Sequence, residues 1–287
     1  MTQIAPLLLR ADADAQPGNS HLVRLLALGS AWQARGGQVV CLGHVASPVM
    51  QQRIRQSGAT FIPLRCRYPH PDDLAIVSQQ IALMHQQAGP DGTVWTAVDG
   101  RHFDVGYQGE IRALGSRLLV IDDLADACRY DADLVLNQNP GIDERRYTGS
   151  VGSETTLLLG ARYALLPPRF GRYRPLRAAV SEVARSVLIA FDGADPLDLT
   201  SKALAAVEQA AVPHLRVRVL VGASNRHTAA LRAWARRRPG QVELVFAPFN
   251  RAAEMAAADM AVTAAGDTCF ELACMQTPAL VIATTPA

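Results

Sequence analysis

Lysine is almost missing from this 287-residue chain: Lys202 is the only one among 28 basic residues, and arginine supplies the rest. That bias reads as genome composition, and a formal net charge of +2 calls for no nucleic-acid partner. Long apolar runs are absent too. No stretch approaches the ~20 residues that a membrane-spanning helix requires. The opening MTQIAPLLLR carries neither a basic leader nor a small-residue cleavage site, so no secretory signal is expected. Five cysteines (Cys41, Cys66, Cys128, Cys269, Cys274) are odd in number and scattered, with no pair at zinc-ligand spacing. A disulfide framework and a metal site are therefore not expected, and a reduced, cytoplasmic protein is the simplest account. What the chain has is apolar bulk. Hydrophobic residues make up 49% of it, enough for sizeable cores, over a length that suits two domains.

The stretch Leu7 to Leu28 organises the rest. An apolar run ends in Arg10, Asp12 and Asp14, a turn-rich loop follows (Gln16, Pro17, Gly18, Asn19, Ser20), and His21 opens a segment with Leu22, Leu25, Leu26 and Leu28 at helical spacing. This is strand, loop and helix, with a histidine at the start of the helix. The positive end of the helix dipole disfavours imidazolium, so His21 is expected to stay neutral near pH 7 and able to accept a proton. The plainer alternative is a histidine that caps the helix or touches water.

Strand-like and helix-like segments then alternate. Gln38–Leu42, Thr60–Pro63, Thr93–Val98, Arg117–Ile121 and Asp133–Leu136 read as strands; Pro48–Gln56, Leu74–Gln87 and Tyr107–Leu114 read as helices. That order predicts a parallel, doubly wound sheet. Polar residues at the strand exits (Asp99, Asp122, Asp123, Asn137, Asn139) suit a ligand crevice or, individually, turns and helix caps. The proline- and arginine-rich LLPPRFGRYRPL, Leu165 to Leu176, reads as an inter-domain link. A second alternation follows: strands Ser186–Phe191, Leu215–Val221, Val242–Phe246, Met260–Thr263 and Leu280–Ala283, with helices Leu199–Ala211, Thr228–Arg238, Arg251–Ala257 and Thr268–Met275. The expected domains are therefore 1–165 and 183–287, linked by 166–182.

Three turns of the second half carry small residues whose backbone amides can cradle a diphosphate: Gly193-Ala194, Gly222-Ala223-Ser224-Asn225 and Ala265-Gly266. Glu271, one turn beyond Gly266, can accept both hydroxyls of a ribose or simply face solvent.

Taken together the loops resemble a family. The segments are RADA (Arg10–Ala13), GNSHLVR (Gly18–Arg24), VIDDLAD (Val120–Asp126), DLVLNQN (Asp133–Asn139), LLLGARYALL (Leu157–Leu166), FDGADP (Phe191–Pro196), VGASN (Val221–Asn225) and AAGDTCFELA (Ala264–Ala273). They run in order over nearly the whole chain. The chain resembles the nucleotide-sugar hydrolases of pseudaminic acid biosynthesis, which release UDP from UDP-2,4-diacetamido-2,4,6-trideoxy-altropyranose and are relatives of MurG-type glycosyltransferases. The resemblance implies an α/β, GT-B-like fold: two doubly wound Rossmann-type domains facing across a cleft, here with the C-terminal part shortened. It implies a UDP-sugar substrate and no cofactor or metal. His21 matches the catalytic base that directs water at the anomeric carbon with inversion, and Asp12 and Arg10 are placed to orient histidine or substrate. Gly18, Asn137 and Tyr163 fall on the sugar side. Gly193, Ser224, Asn225, Ala265, Gly266 and Thr268 fall on the diphosphate, and Glu271 on the ribose.

Several positions depart from the family pattern. Ser20 stands where glycine is usual, Asp192 replaces the first of a glycine pair, Asp267 replaces a small residue in the phosphate turn, and Arg101 replaces an aromatic residue. Asp192 and Asp267 put carboxylates where a diphosphate is to lie. The chain also stops at Ala287, earlier than relatives, which is expected to leave apolar surface for a homodimer contact. A GT-B glycosyltransferase and a catalytically silent relative are the alternative readings.

Overall fold

The computed structural model describes residues 4–13, 20–89, 92–174, 182–191, 193–222, 224–246 and 250–284. Contacts divide the chain into two units, Met1–Pro167 and Pro168–Ala287. In the first unit the elements are β1 (Leu7–Arg10), α1 (Ser20–Gln33), β2 (Val39–Gly43), α2 (Pro48–Gln56), β3 (Thr60–Pro63), α3 (Pro71–Ala88), β4 (Trp95–Asp99), α4 (Val105–Ala113), β5 (Arg117–Ile121), β6 (Leu134–Asn137) and β7 (Thr156–Leu159). All the strand pairs are parallel, in the order β3-β2-β1-β4-β5-β6-β7.

A parallel sheet covered on both faces must be apolar on both, and β1 is buried at all four positions. Its side chains alternate as a strand requires. Leu7 and Leu9 join the core formed with Leu22 and Leu25 of α1, whereas Leu8 joins the core formed with Val77 and Ile81 of α3 and Tyr107 and Ile111 of α4. Helix starts follow local chemistry. Ser47 caps α2 ahead of Pro48, His70 caps α3 ahead of Pro71, and the Asp104 carboxylate accepts from the Tyr107 amide to cap α4.

The second unit contains α5 (Arg169–Tyr173), β8 (Ser186–Ala190), α6 (Leu199–Ala210), β9 (Arg216–Val221), α7 (Thr228–Arg236), β10 (Val242–Phe246), α8 (Arg251–Ala256), β11 (Met260–Ala264), α9 (Asp267–Cys274) and β12 (Ala279–Ile282). Its strands are again parallel, in the order β10-β9-β8-β11-β12. Val187 and Ile189 of β8, Val217 and Val219 of β9, Leu204 of α6 and Leu231 of α7 form its core. Asp259 ties β8 to the start of β11, accepting from the amides of Arg185 and Ser186 and from the Ser186 hydroxyl.

Two features differ from the sequence expectation. The stretch 166–182 is not wholly a link: it contains α5, which packs on α8 and α9 and belongs to the second unit. A five-residue helix containing glycine is too short to show helical periodicity. β7 was also not expected as a strand, since its four residues TLLL carry no alternation. Among the described residues no helix is long and apolar enough to cross a membrane.

Gly43 sits where β2 runs closest to the chain leaving β1. A Cβ there would lie 2.0 Å from the Ala11 carbonyl oxygen, which is backbone and cannot swing aside. At Gly29 of α1 a Cβ would meet only the side chains of Leu9 and Val39, at 3.0 and 3.2 Å. Gly43→Ala is therefore expected to lower the midpoint of urea unfolding by the equivalent of about 1–3 kcal/mol. Gly29→Ala should cost clearly less, because helix propensity offsets part of the crowding. Equal losses in the two variants would contradict this account.

Candidate functional site

Strand order reverses between β1 and β4 in the first unit and between β8 and β11 in the second. In open parallel sheets, ligands bind at the carboxyl ends of the strands beside such a reversal. In the first unit that place is occupied by charge. Arg10 pairs in register with Leu42 of β2 on one side and Val98 of β4 on the other. Asp99, the last residue of β4, therefore emerges level with Ala11 and Asp12.

His21 stands in the first turn of α1 and Arg24 three residues on, so helical spacing aims both at the same strand exit. The Nδ1 of His21 lies 2.6 Å from Oδ1 of Asp99, which is 1% exposed. Arg24 grips the same carboxylate with Nε (3.0 Å to Oδ2) and Nη2 (2.9 Å to Oδ1). It also reaches Asp123 with Nη1 at 2.6 Å and Nη2 at 2.9 Å. A carboxylate only accepts, so the proton sits on Nδ1, and Nε2 is the ring nitrogen left to take another. The imidazole is half-buried, with 34% of the side chain exposed.

Asp99 and Asp123 against Arg24 leave one negative charge in excess. The Asp99 hydrogen bond pulls the His21 pKa up from its ordinary 6.5, against opposition from burial and from Arg24. The shift runs opposite to the direction expected from the helix dipole. The partial charge at a helix terminus is weaker than a full carboxylate in contact. Burial acts to raise the Asp123 carboxyl, but the Arg24 hydrogen bond prevails and its pKa falls.

Asp12 and Arg10 belong to a second network. The Arg10 guanidinium is fully buried and donates to Asp12 (2.5 Å) and to Asp73 of α3, and it lies 4.7 Å from the Phe103 ring centre. Asp12 also accepts from the His44 amide at 2.8 Å and meets Nε2 of His102 at 2.9 Å. Burial would raise its pKa, but the hydrogen bonds from His102 and Arg10 hold it well below the usual carboxylate range. The residue that orients His21 is thus Asp99 and not Asp12. Arg10, with no exposed surface, braces Asp12 against Asp73 of α3.

Other expected residues also resolve. Asn137 is fully buried, donates to Asp122 and the Tyr147 hydroxyl, and accepts from the Asn139 amide, which fixes the β6 exit. Tyr163 is half-buried against the α1-side core, with the Arg162 guanidinium 4.8 Å from its ring centre. Arg101 is an exposed partner of Asp126. Gly18 and Asp192 lie outside the described residues.

In the second unit, the three turns expected to cradle a diphosphate are not equivalent. At α6, the buried Asp195 carboxylate accepts from the amides of Leu199 and Thr200 and so occupies the helix start itself. Before α7, Asn225 is buried and turned back onto the His227 amide at 2.8 Å, while Ser224 is exposed. Gly193 is exposed and packs under Gly222, where a Cβ would lie 2.2 Å from the Gly193 carbonyl oxygen. At α9 no side chain caps the helix: the cap residue is Gly266, exposed together with Ala265. Arg251 stands alongside, donating to Thr268 Oγ1 (3.1 Å) and to Glu271 Oε2 from Nη2 (2.8 Å) and Nε (3.1 Å). Of these three turns, the one before α9 combines an exposed glycine cap with an arginine alongside.

No protein-family profile matches the chain. It is 30% identical over 155 residues to the spore coat polysaccharide biosynthesis protein SpsG of Bacillus subtilis; the match covers 53% of this chain and 44% of that protein. Among solved structures it is similar to Acinetobacter baumannii MurG (TM-score 0.57, 14% identity, covering 98% of this chain and 80% of that one). It is also similar to Anabaena HepE in complex with UDP-glucose (TM-score 0.57, 15% identity, 96% and 79% covered). The fold is GT-B-like, built of two Rossmann-type domains with parallel sheets.

The His21–Asp99 pair has a pH signature. A histidine whose pKa is raised on folding contributes stability that is fully present below 6.5 and is lost as pH rises through the folded value. The stability gap between native protein and His21→Gln should therefore shrink from pH 5.5 to pH 9. In Asp99→Asn, the His21 imidazole followed by NMR should titrate at lower pH than in the native protein. An unchanged midpoint would remove Asp99 as the cause.

Proposed function

We propose that this protein acts on a UDP-sugar and that the reaction is hydrolysis at the anomeric carbon. The observation that carries the reading is the Asp99-held His21, whose Nδ1–H is committed and whose Nε2 faces the task of proton acceptor at the strand exit. In the proposed step Nε2 takes a proton from water as the oxygen attacks the anomeric carbon. The carbon–oxygen bond to the diphosphate breaks, its electron pair leaves with UDP, and the sugar inverts. Asp99 stabilises the imidazolium that forms, as a carboxylate behind a catalytic histidine does. The open start of α9 is the proposed diphosphate contact, through backbone amides and the dipole, with Glu271 on the ribose.

The likeness to SpsG, a polysaccharide biosynthesis protein, and to HepE, crystallised with UDP-glucose, supports a sugar-nucleotide ligand. The sequence resemblance supports a 2,4-diacetamido-trideoxyhexose as the sugar. Glycosyl transfer is the competing reading, in which an acceptor hydroxyl replaces water and the same histidine accepts its proton.

Incubation with UDP-2,4-diacetamido-2,4,6-trideoxy-altropyranose in oxygen-18 water tests both. Hydrolysis puts the label on the sugar and none on UDP; release of UDP only when a sugar acceptor is added selects transfer. His21→Ala should lower turnover about 10²- to 10⁴-fold while calorimetry still reports UDP binding. Absence of UDP binding by the native chain would indicate a silent relative and end the proposal.

Asp267 stands in the first turn of α9, where a carboxylate opposes a diphosphate. Asp267→Ser is expected to bind UDP about tenfold more tightly, ~1.4 kcal/mol, from the loss of like-charge repulsion. Unchanged affinity would place the diphosphate elsewhere.

A further inference from the structure

The loop between β3 and α3 brings together three metal-ligating side chains that the proposed reaction does not use. Cys66, His70 and Asp72 each offer one ligand atom, and these atoms lie within 4.8 Å of one another. Cys66 is half-buried and the other two are exposed. We propose that these three residues form a binding site for a divalent cation of the zinc class, with the remaining coordination position open to water.

One ligand pair already stands near the spacing such an ion requires. Two ligands on a tetrahedral ion with bonds of ~2.1 Å stand roughly 3.4 Å apart. Nδ1 of His70 and Oδ2 of Asp72 are 3.7 Å apart. The loop is also held in place without the ion. The Tyr68 ring packs edge-on against buried Tyr107, with centres 4.7 Å apart, and its hydroxyl donates to Asp104 at 3.2 Å. Buried Leu64 donates its amide to the Gly43 carbonyl at 3.0 Å, and the His70 amide closes a turn onto the Arg67 carbonyl at 2.9 Å. Little backbone order remains to be imposed by binding.

The donor set selects the ion. One thiolate, one imidazole and one carboxylate suit zinc and its neighbours, whereas calcium and magnesium favour oxygen ligands throughout. Thiolate and carboxylate together neutralise a dication, and the thiol proton leaves to solvent on binding. The start of α3 opposes a cation but stabilises the Asp72 carboxylate in its first turn. Binding through Nδ1 replaces the 3.2 Å cap that this nitrogen accepts from the Asp72 amide. Because the ligands are a single cysteine, a histidine and an aspartate, cysteine spacing could not reveal them.

Titration of the tag-free full chain with cobalt(II) alone tests the proposal, since cobalt occupies zinc sites and reports a thiolate ligand by a charge-transfer band. One equivalent should bind with that band in the native protein and in Cys128→Ser, and zinc should abolish it by displacement. Cys66→Ser should lose the band, and Asp72→Asn should keep it while binding more than tenfold more weakly; circular dichroism checks that both variants are folded. Absence of the band in the native chain, or its persistence in Cys66→Ser, overturns the assignment.

Discussion

The carboxylate of Asp99 is the point on which the first unit's site depends. It is buried at the end of a central strand, where an unpaired charge costs several kcal/mol. Arg24 answers that cost with two hydrogen bonds in fork geometry and extends the network to Asp123. The guanidinium cannot balance two carboxylates, and the surplus negative charge falls on His21. A requirement of folding, that a buried anion be paired, thereby sets the orientation and basicity of the histidine. Positioning and chemistry share one interaction.

The neighbouring exit of β1 repeats the device with a different outcome. Arg10 is enclosed by Asp12 and Asp73, and the chain leaving β1 is tied to β2 through the His44 amide. Here the buried cation is shared between two carboxylates through its Nη atoms, and the exposed member of the network is His102, half-accessible beside Asp12. Two charged networks thus stand side by side at the reversal of strand order. One presents a histidine from a helix and the other presents a histidine from the loop after β4.

The second unit shows how self-capping removes candidate sites. Every helix that follows a strand begins with unpaired amides, and each such start can hold an anion. Asp195 satisfies those amides from within the chain at α6, while before α7 Asn225 turns back onto the His227 amide. Among the described residues the start of α9 combines an exposed glycine cap with a flanking arginine, and that arginine is already engaged by Glu271 and Thr268. Asp267 adds a carboxylate to the first turn of this helix. Arg251 supplies the opposite charge within the same neighbourhood.

By itself the sequence determined the alternation of strands and helices, and with it two parallel sheets, because apolar periodicity is a local property of each segment. His21 was legible for the same reason: it stands at a strand-to-helix junction written in contiguous residues. Short elements such as β7 and α5 escaped, since four or five residues carry too little periodicity. Only tertiary structure decided the partners. Asp99 is 78 residues from His21 and joins it because β4 lies beside β1 in the sheet. Asp12, only nine positions before His21, is drawn instead to Arg10. Cys66, His70 and Asp72 are close in sequence, yet their convergence needed the turn that Tyr68 and Leu64 anchor. Charge pairing in a buried sheet is a long-range choice, made by strand order and not by sequence distance.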